Sequence, residues 1–201
     1  MNSKLGQIII FTGEGKGKTS AALGTVIRAL GNGWNVGWVS LYKETSWKLS
    51  EVAFFDTISD VLKGRLEFEL AGKGFFLQNA LATSSESVKT APVNDQIVID
   101  DDSPDVHKKA ANLALDRVHD MLKMSQKQLV VIDEVCNALY DGLIELKQLT
   151  AILADRGETH IVLTGRNCPQ ELIEMADLVT EMKKIKHPFD SEKNAIKGLD
   201  F

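Results

Sequence analysis

Residues 7–30 constrain this chain more than any other stretch. Gln7-Ile8-Ile9-Ile10-Phe11 is a short apolar run rich in β-branched residues, a composition that favours a strand. Ala21-Ala22-Leu23-Gly24-Thr25-Val26-Ile27-Arg28-Ala29-Leu30 carries its apolar residues at helical spacing. Between them lies Thr12-Gly13-Glu14-Gly15-Lys16-Gly17-Lys18-Thr19-Ser20. Strand, glycine loop and helix in this order form the setting of a phosphate-binding loop. Closely spaced glycines let backbone N–H groups converge on one point. The helix start adds unpaired donors and the positive end of its dipole. The candidate nucleotide contacts are therefore Gly13, Glu14, Gly15, Lys16, Gly17, Lys18, Thr19 and Ser20. Lys18 is the candidate catalytic cation on phosphate oxygens, and the Thr19 hydroxyl is a candidate Mg2+ ligand. The usual pattern begins with a glycine five residues before the glycine that precedes the lysine. Here Thr12 holds that position and the glycine falls at 13, so the loop is one residue tighter or its cradle starts differently.

A chain of 201 residues can bury a proper core as one domain, and residues 1–201 are expected to form one. Hydrophobic residues make up 44% and charged residues 25%, ordinary for a soluble globular protein. A formal net charge of -5 argues against a general nucleic-acid binder. No apolar run is long enough for a membrane span and no secretion signal is evident, so a cytoplasmic protein is expected. Cys136 and Cys168 match no metal spacing and read as reduced thiols.

Trp34-Asn35-Val36-Gly37-Trp38-Val39-Ser40-Leu41 reads as a second strand, with Lys43 just past its carboxyl end. In an open parallel sheet ligands sit at that edge, so Lys43 either reaches a phosphate or is simply solvated. The spacing of Trp47, Leu49, Val52, Phe55, Ile58, Val61 and Leu62 predicts one amphipathic helix over 46–64. Leu66–Leu70 alternates as a strand does, and Gly72-Lys73-Gly74-Phe75-Phe76 follows it. Residues 79–103 carry turn chemistry and little to bury, as a flexible insertion or lid does. Asp100-Asp101-Asp102 reads as a solvated acidic cluster before the helix that starts at Pro104 and runs to Met124. Within that helix, His107 reads as an exposed residue.

Gln128-Leu129-Val130-Val131-Ile132-Asp133-Glu134 is the second strong signal. Its apolar run predicts a strand buried on both faces, ending in two carboxylates. Downstream of a Gly-Lys-Thr loop this is the Walker B arrangement, in which one carboxylate holds magnesium and the other orients a reacting group. Asp133 and Glu134 thus join Thr19 as candidate metal ligands. Leu143–Ala154 reads as a helix. His160-Ile161-Val162-Leu163-Thr164-Gly165-Arg166 is a further buried strand ending in Thr-Gly-Arg. Arg166 there is either a bidentate phosphate ligand or a surface arginine. Residues 169–176 read as a short helix and 177–182 as the last strand. The sum is an α/β fold with a mostly parallel sheet and helices on both faces.

Four segments together resemble the P-loop ATP:corrinoid adenosyltransferases. They are the loop Thr12–Thr19 with Ala21-Ala22-Leu23-Gly24, the strand Val130–Glu134, the strand Ile161–Arg166 with Pro169 and Ala176-Asp177, and the tail. The tail carries Lys186-His187-Pro188-Phe189-Asp190 and Lys197-Gly198-Leu199-Asp200-Phe201. The family shares the tightened glycine spacing. The resemblance implies a P-loop NTPase-like fold and a transferase that moves the 5′-deoxyadenosyl group of ATP to the Co(I) centre of a reduced corrinoid, releasing triphosphate. It assigns catalysis to Lys18 and Arg166, magnesium to Thr19 and Glu134 with Asp133 in support, and corrinoid handling to Phe75. The family has Gly-Phe-Thr-Trp where this chain has Gly74-Phe75-Phe76-Leu77, so Leu77 replaces the tryptophan. A homodimer, a flavodoxin-type reductant, and no nucleic-acid or membrane partner are also implied. The alternatives are a P-loop ATPase or small-molecule kinase, and a non-catalytic nucleotide-binding protein of the same fold.

Overall fold

Six short segments assemble into one parallel sheet; the four inner ones are largely apolar and covered, while the two edge segments, Leu66–Leu70 and Leu178–Glu181, carry polar residues and are only partly buried or exposed. The computed structural model describes residues 5–74, 92–93, 96–97, 103–124, 126–191 and 196–199. In chain order the elements are β1 (Ile8–Thr12), α1 (Lys18–Gly31), β2 (Val36–Ser40), α2 (Ser50–Thr57), α3 (Ser59–Leu62) and β3 (Leu66–Leu70). A two-stranded antiparallel pair follows, β4 (Pro92–Val93) and β5 (Gln96–Ile97). Then come α4 (Pro104–Met124), β6 (Leu129–Asp133), α5 (Val135–Tyr140), α6 (Leu146–Ala154), β7 (His160–Thr164), α7 (Gln170–Met175) and β8 (Leu178–Glu181). The sheet order is β3-β2-β6-β7-β1-β8, with every pairing parallel.

Alternation along the strands divides the core in two. Val130 and Ile132 face one side with Ile8, Ile10 and Ile161, beneath Leu115 and Val118 of α4, Leu149 of α6 and Leu172 of α7. Leu129 and Val131 face the other side with Trp38 and Val162, beneath Ala22 and Val26 of α1 and Phe55 of α2. Strands covered on both faces have no reason to alternate polar with apolar residues, which is why they read as continuous runs. The register matters more for function than the core does. Ser40 lies beside Asp133, and Thr164 lies one step past the paired Ile132 and Leu163. Three polar side chains therefore stand in a row at the carboxyl edge of the sheet.

Three expectations are corrected. Residues 46–64 form two helices, not one, because Thr57-Ile58-Ser59-Asp60 is a run of weak helix formers. Val61, expected on the apolar stripe, is 69% exposed. His107 is buried, because it falls on the face of α4 that carries Ala111, Ala114, Leu115 and Val118. Between β6 and the expected helix near 143–154 stands an additional short helix, α5. Phe75, Leu77, Asp100-Asp101-Asp102 and most of 79–103 lie outside the described residues, so the insertion or lid expected there does too. No described helix is long and apolar enough to cross a membrane.

Candidate active site

The loop after β1 turns sharply because Gly13 and Gly17 both adopt positive φ, 96° and 108°, at little cost for a residue without Cβ. Gly17 is the N-cap of α1 and supplies no side-chain cap, so the first N–H groups of the helix remain open to a ligand. The loop is braced from outside by the chain just past β8. Met182 donates its N–H to the Thr12 carbonyl, at 2.8 Å, and accepts from Gly15 N–H, at 2.6 Å. A Cβ on Gly15 would lie 2.7 Å from the Met182 oxygen, so the brace requires glycine at this position. Nothing in the sequence marks Met182; only the pairing of β8 with β1 reveals it.

Lys18 folds back over its own loop. Its ammonium donates to the carbonyls of Gly13, 2.7 Å, and Gly15, 2.8 Å. Burial, with the nearby Arg166 charge, draws its pKa below the ordinary lysine value, against the pull of Glu14, Glu134 and Asp133. Burial likewise lowers that of Lys16. Ser20 lies exposed in the first turn of α1. Arg166 reaches across to the loop and pairs with Glu14 at 3.2 Å, both side chains being about half exposed. Its own backbone N–H is fixed by the Asn137 side chain on α5, at 2.8 Å. Gly165 packs against α5 so closely that a Cβ would meet Asn137 Oδ1 at 2.7 Å. Asn137 thus sets the turn that presents Arg166, another contact the sequence did not signal. Beside that turn Cys136 and Cys168 are free thiols, the first buried and the second partly so.

Asp133 is the hub. Its Oδ1 accepts from Thr164, 2.6 Å, and Thr19, 3.1 Å. Its Oδ2 accepts from Ser40, 3.2 Å, and faces the Lys43 ammonium at 3.1 Å. Ser40 in turn accepts from Trp38 Nε1 at 2.8 Å. Four donors fill the acceptor capacity of one carboxylate. Glu134 is the opposite case. Its backbone is held at φ 63°, with its N–H donated to Thr164 at 2.8 Å, a strained conformation for a non-glycine residue. Its Oε2 is shielded from water and has no hydrogen-bond partner among the described residues. Burial and the neighbouring Asp133 charge push its pKa up to about 7, against the pull of Lys43, Lys18 and Arg166.

The structure thus brings Gly13 to Ser20, Lys43, Asp133, Glu134 and Arg166 to one edge of the sheet. Phe75 lies outside the described residues, although Gly72 and Gly74 lead toward this edge, donating their N–H groups to Lys43 and Tyr42 carbonyls. Lys43 does not stand free after its strand. Its ammonium is enclosed by Asp133 and by Glu51 of α2, at 3.2 Å.

The profile of the family described as ATP:corrinoid adenosyltransferase BtuR/CobO/CobP matches residues 4–201. The corrinoid adenosyltransferase CobA of Salmonella typhimurium is 32% identical over 98% of this chain and 86% of its own length. The corrinoid adenosyltransferase of Pseudomonas aeruginosa is 34% identical over 98% of this chain and 84% of its own. Among solved structures, a KaiC-like protein from Pyrococcus horikoshii superposes with a TM-score of 0.53 at 16% identity. That match covers 91% of this chain and 75% of the other, and speaks to fold alone.

Proposed function

The chain belongs to the family of ATP:corrinoid adenosyltransferases, and from that premise we propose how its residues divide the work of transferring adenosyl from ATP to a reduced corrinoid. The substrate's Co(I) supplies an electron pair to the 5′ carbon of ATP. The carbon–oxygen bond breaks, and its pair leaves with the triphosphate. The nucleophile arrives with its electrons, so the chain needs no general base; what it must supply is position and a place for the departing charge.

Lys18 would leave the Gly13 and Gly15 carbonyls for phosphate oxygens, alongside the open N–H groups of the first turn of α1. Lys16 and Ser20 flank the same polyphosphate. Arg166 would exchange the Glu14 carboxylate for the leaving triphosphate, a trade of one anion for another across an exposed and therefore weak ion pair. The observation that carries this reading is the convergence of a self-occupied Lys18, the α1 N-terminus and Arg166 on one loop.

The residues present also fit Mg2+. No ready-made cage of three or more His, Cys, Asp or Glu side chains occurs among the described residues. Mg2+ takes only one or two protein oxygens when phosphates and water supply the rest. Glu134, with its unpartnered oxygen, and Thr19 would be those ligands. Asp133, already filled, would hold the Thr19 proton and so aim that hydroxyl's lone pairs outward. Bound there, Mg2+ supplies charge neutralisation for the leaving triphosphate. Removing divalent ions with a chelator is expected to lower adenosyl transfer at least a hundredfold, with recovery on adding Mg2+. Full activity without divalent ions would refute this part.

Three further features belong to the same proposal: a cytoplasmic setting, a flavodoxin-type electron donor and a homodimer. The free thiols Cys136 and Cys168 suit a reducing compartment. The family resemblance supports the donor and the dimer, and the dimer is tested by sedimentation.

A further inference from the structure

We infer that Lys43 is a positioning residue whose enclosed ammonium keeps the metal site closed to a free divalent cation, so that metal enters only together with the polyphosphate. This rests on the magnesium reading above and deepens it.

The observations are geometric. Lys43 Nζ lies 3.1 Å from Asp133 Oδ2 and 3.2 Å from Glu51 Oε1. Its side chain is 12% exposed and that of Asp133 not at all. An ammonium clamped by two carboxylates on neighbouring elements is not poised to grip phosphate. Both carboxylates lie within ion-pair distance of the ammonium and favour its charged form. The site therefore contains a permanent positive charge next to both carboxylates of the β6 tip. Lys18 adds a second, half-buried one.

Charge arithmetic then separates two routes of entry. A bare dication must approach the clamped Lys43 ammonium and the nearby Lys18, and Asp133, its acceptor positions already taken by four donors, offers it no open coordination position. In a partly desolvated site such repulsion at a few ångströms changes affinity by an order of magnitude or more. A dication already carried by a polyphosphate presents a net negative complex, which the same two cations attract. Lys43 thereby enforces an order: metal and ATP arrive as one complex, and metal and triphosphate depart as one. Glu51 holds the ammonium from the other side and keeps it from swinging out over the phosphates.

The test uses Mn2+ as the probe and electron paramagnetic resonance to count free ion. Nucleotide-free wild-type protein is expected to show no saturable Mn2+ site below the millimolar range. With ATP present, one Mn2+ per chain beyond that carried by ATP in solution is expected to stay with the protein on ultrafiltration. Lys43→Gln keeps a donor toward Asp133 and removes the charge; it should gain nucleotide-free Mn2+ binding at least tenfold tighter than wild type. Lys43→Arg keeps the charge and should behave as wild type. A purely structural lysine would not produce a gain of binding on neutralisation. Unchanged or weaker Mn2+ binding by Lys43→Gln would overturn the inference. So would a tight Mn2+ site in nucleotide-free wild type, a result that needs no variant to fold. If wild type takes up no Mn2+ even with ATP, it is the magnesium reading itself that fails.

Discussion

Replacing Lys18 with alanine is expected to lower kcat/KM for adenosyl transfer by about a thousandfold, the scale on which loss of one preorganised donor to developing charge is felt. The leaving group gains its charge at the moment the carbon–oxygen bond breaks. Interactions that strengthen at that moment raise kcat, whereas those equal in substrate and transition state change only KM. The half-buried ammonium of Lys18, held over the loop by two carbonyls, is the cation proposed to take up that charge. The expected signature is therefore a large fall in kcat with a smaller change in KM for ATP. Stability should move little, because the carbonyls that Lys18 leaves behind can turn to water. Lys18→Arg is not expected to rescue: a planar guanidinium cannot occupy the space between the Gly13 and Gly15 oxygens as a compact ammonium does.

Glu134→Gln should cost about a hundredfold in kcat/KM, by removing the charged oxygen proposed to hold the divalent cation. The same variant has a second readout that does not depend on turnover. In the nucleotide-free protein the Glu134 pKa is pushed up to about 7, from 4.5 when unperturbed. Between those values the folded chain holds a proton that the unfolded chain has lost. This contribution to stability is thus fully present below about pH 4.5 and disappears as pH rises through 7. Its full loss is of order 3 kcal/mol, or roughly 8 °C in Tm for a domain of this size. Wild type without nucleotide or metal should lose most of that between pH 5 and pH 8 in scanning calorimetry, and Glu134→Gln should show a flatter profile. A variant with full activity and an unchanged pH slope would contradict the role given to this side chain.

Most of the architecture is legible in the sequence because its determinants are local. The apolar runs at 8–11, 129–132 and 161–163 announce buried parallel strands, and the glycine loop announces the turn between β1 and α1. What could not be read depends on contacts between distant segments. Met182 braces the phosphate loop only because β8 lies beside β1. Asn137 fixes the Arg166 turn only because α5 follows β6 directly, and that short helix has too few residues to show a period. Ser40, an unremarkable hydroxyl at a strand end, joins the Asp133 network because register sets it beside the carboxylate. Lys43 stands where strand-end logic puts a ligand contact, but its partner Glu51 belongs to a helix whose boundaries the apolar stripe misjudged. His107 was misread for the related reason that a single polar residue on an apolar helix face breaks the pattern without leaving the face.

Adenosyl transfer requires the triphosphate to leave in one piece. Wild-type protein, ATP, Mg2+ and a corrinoid chemically reduced to Co(I) should be combined and the phosphorus-containing products followed by NMR as the light-sensitive cobalt–carbon product forms. The expected result is one inorganic triphosphate for each adenosylated corrinoid, with no orthophosphate in proportion. Stoichiometric orthophosphate, with the adenosine moiety still esterified to phosphate, would contradict it and return the loop to ordinary γ-phosphate chemistry.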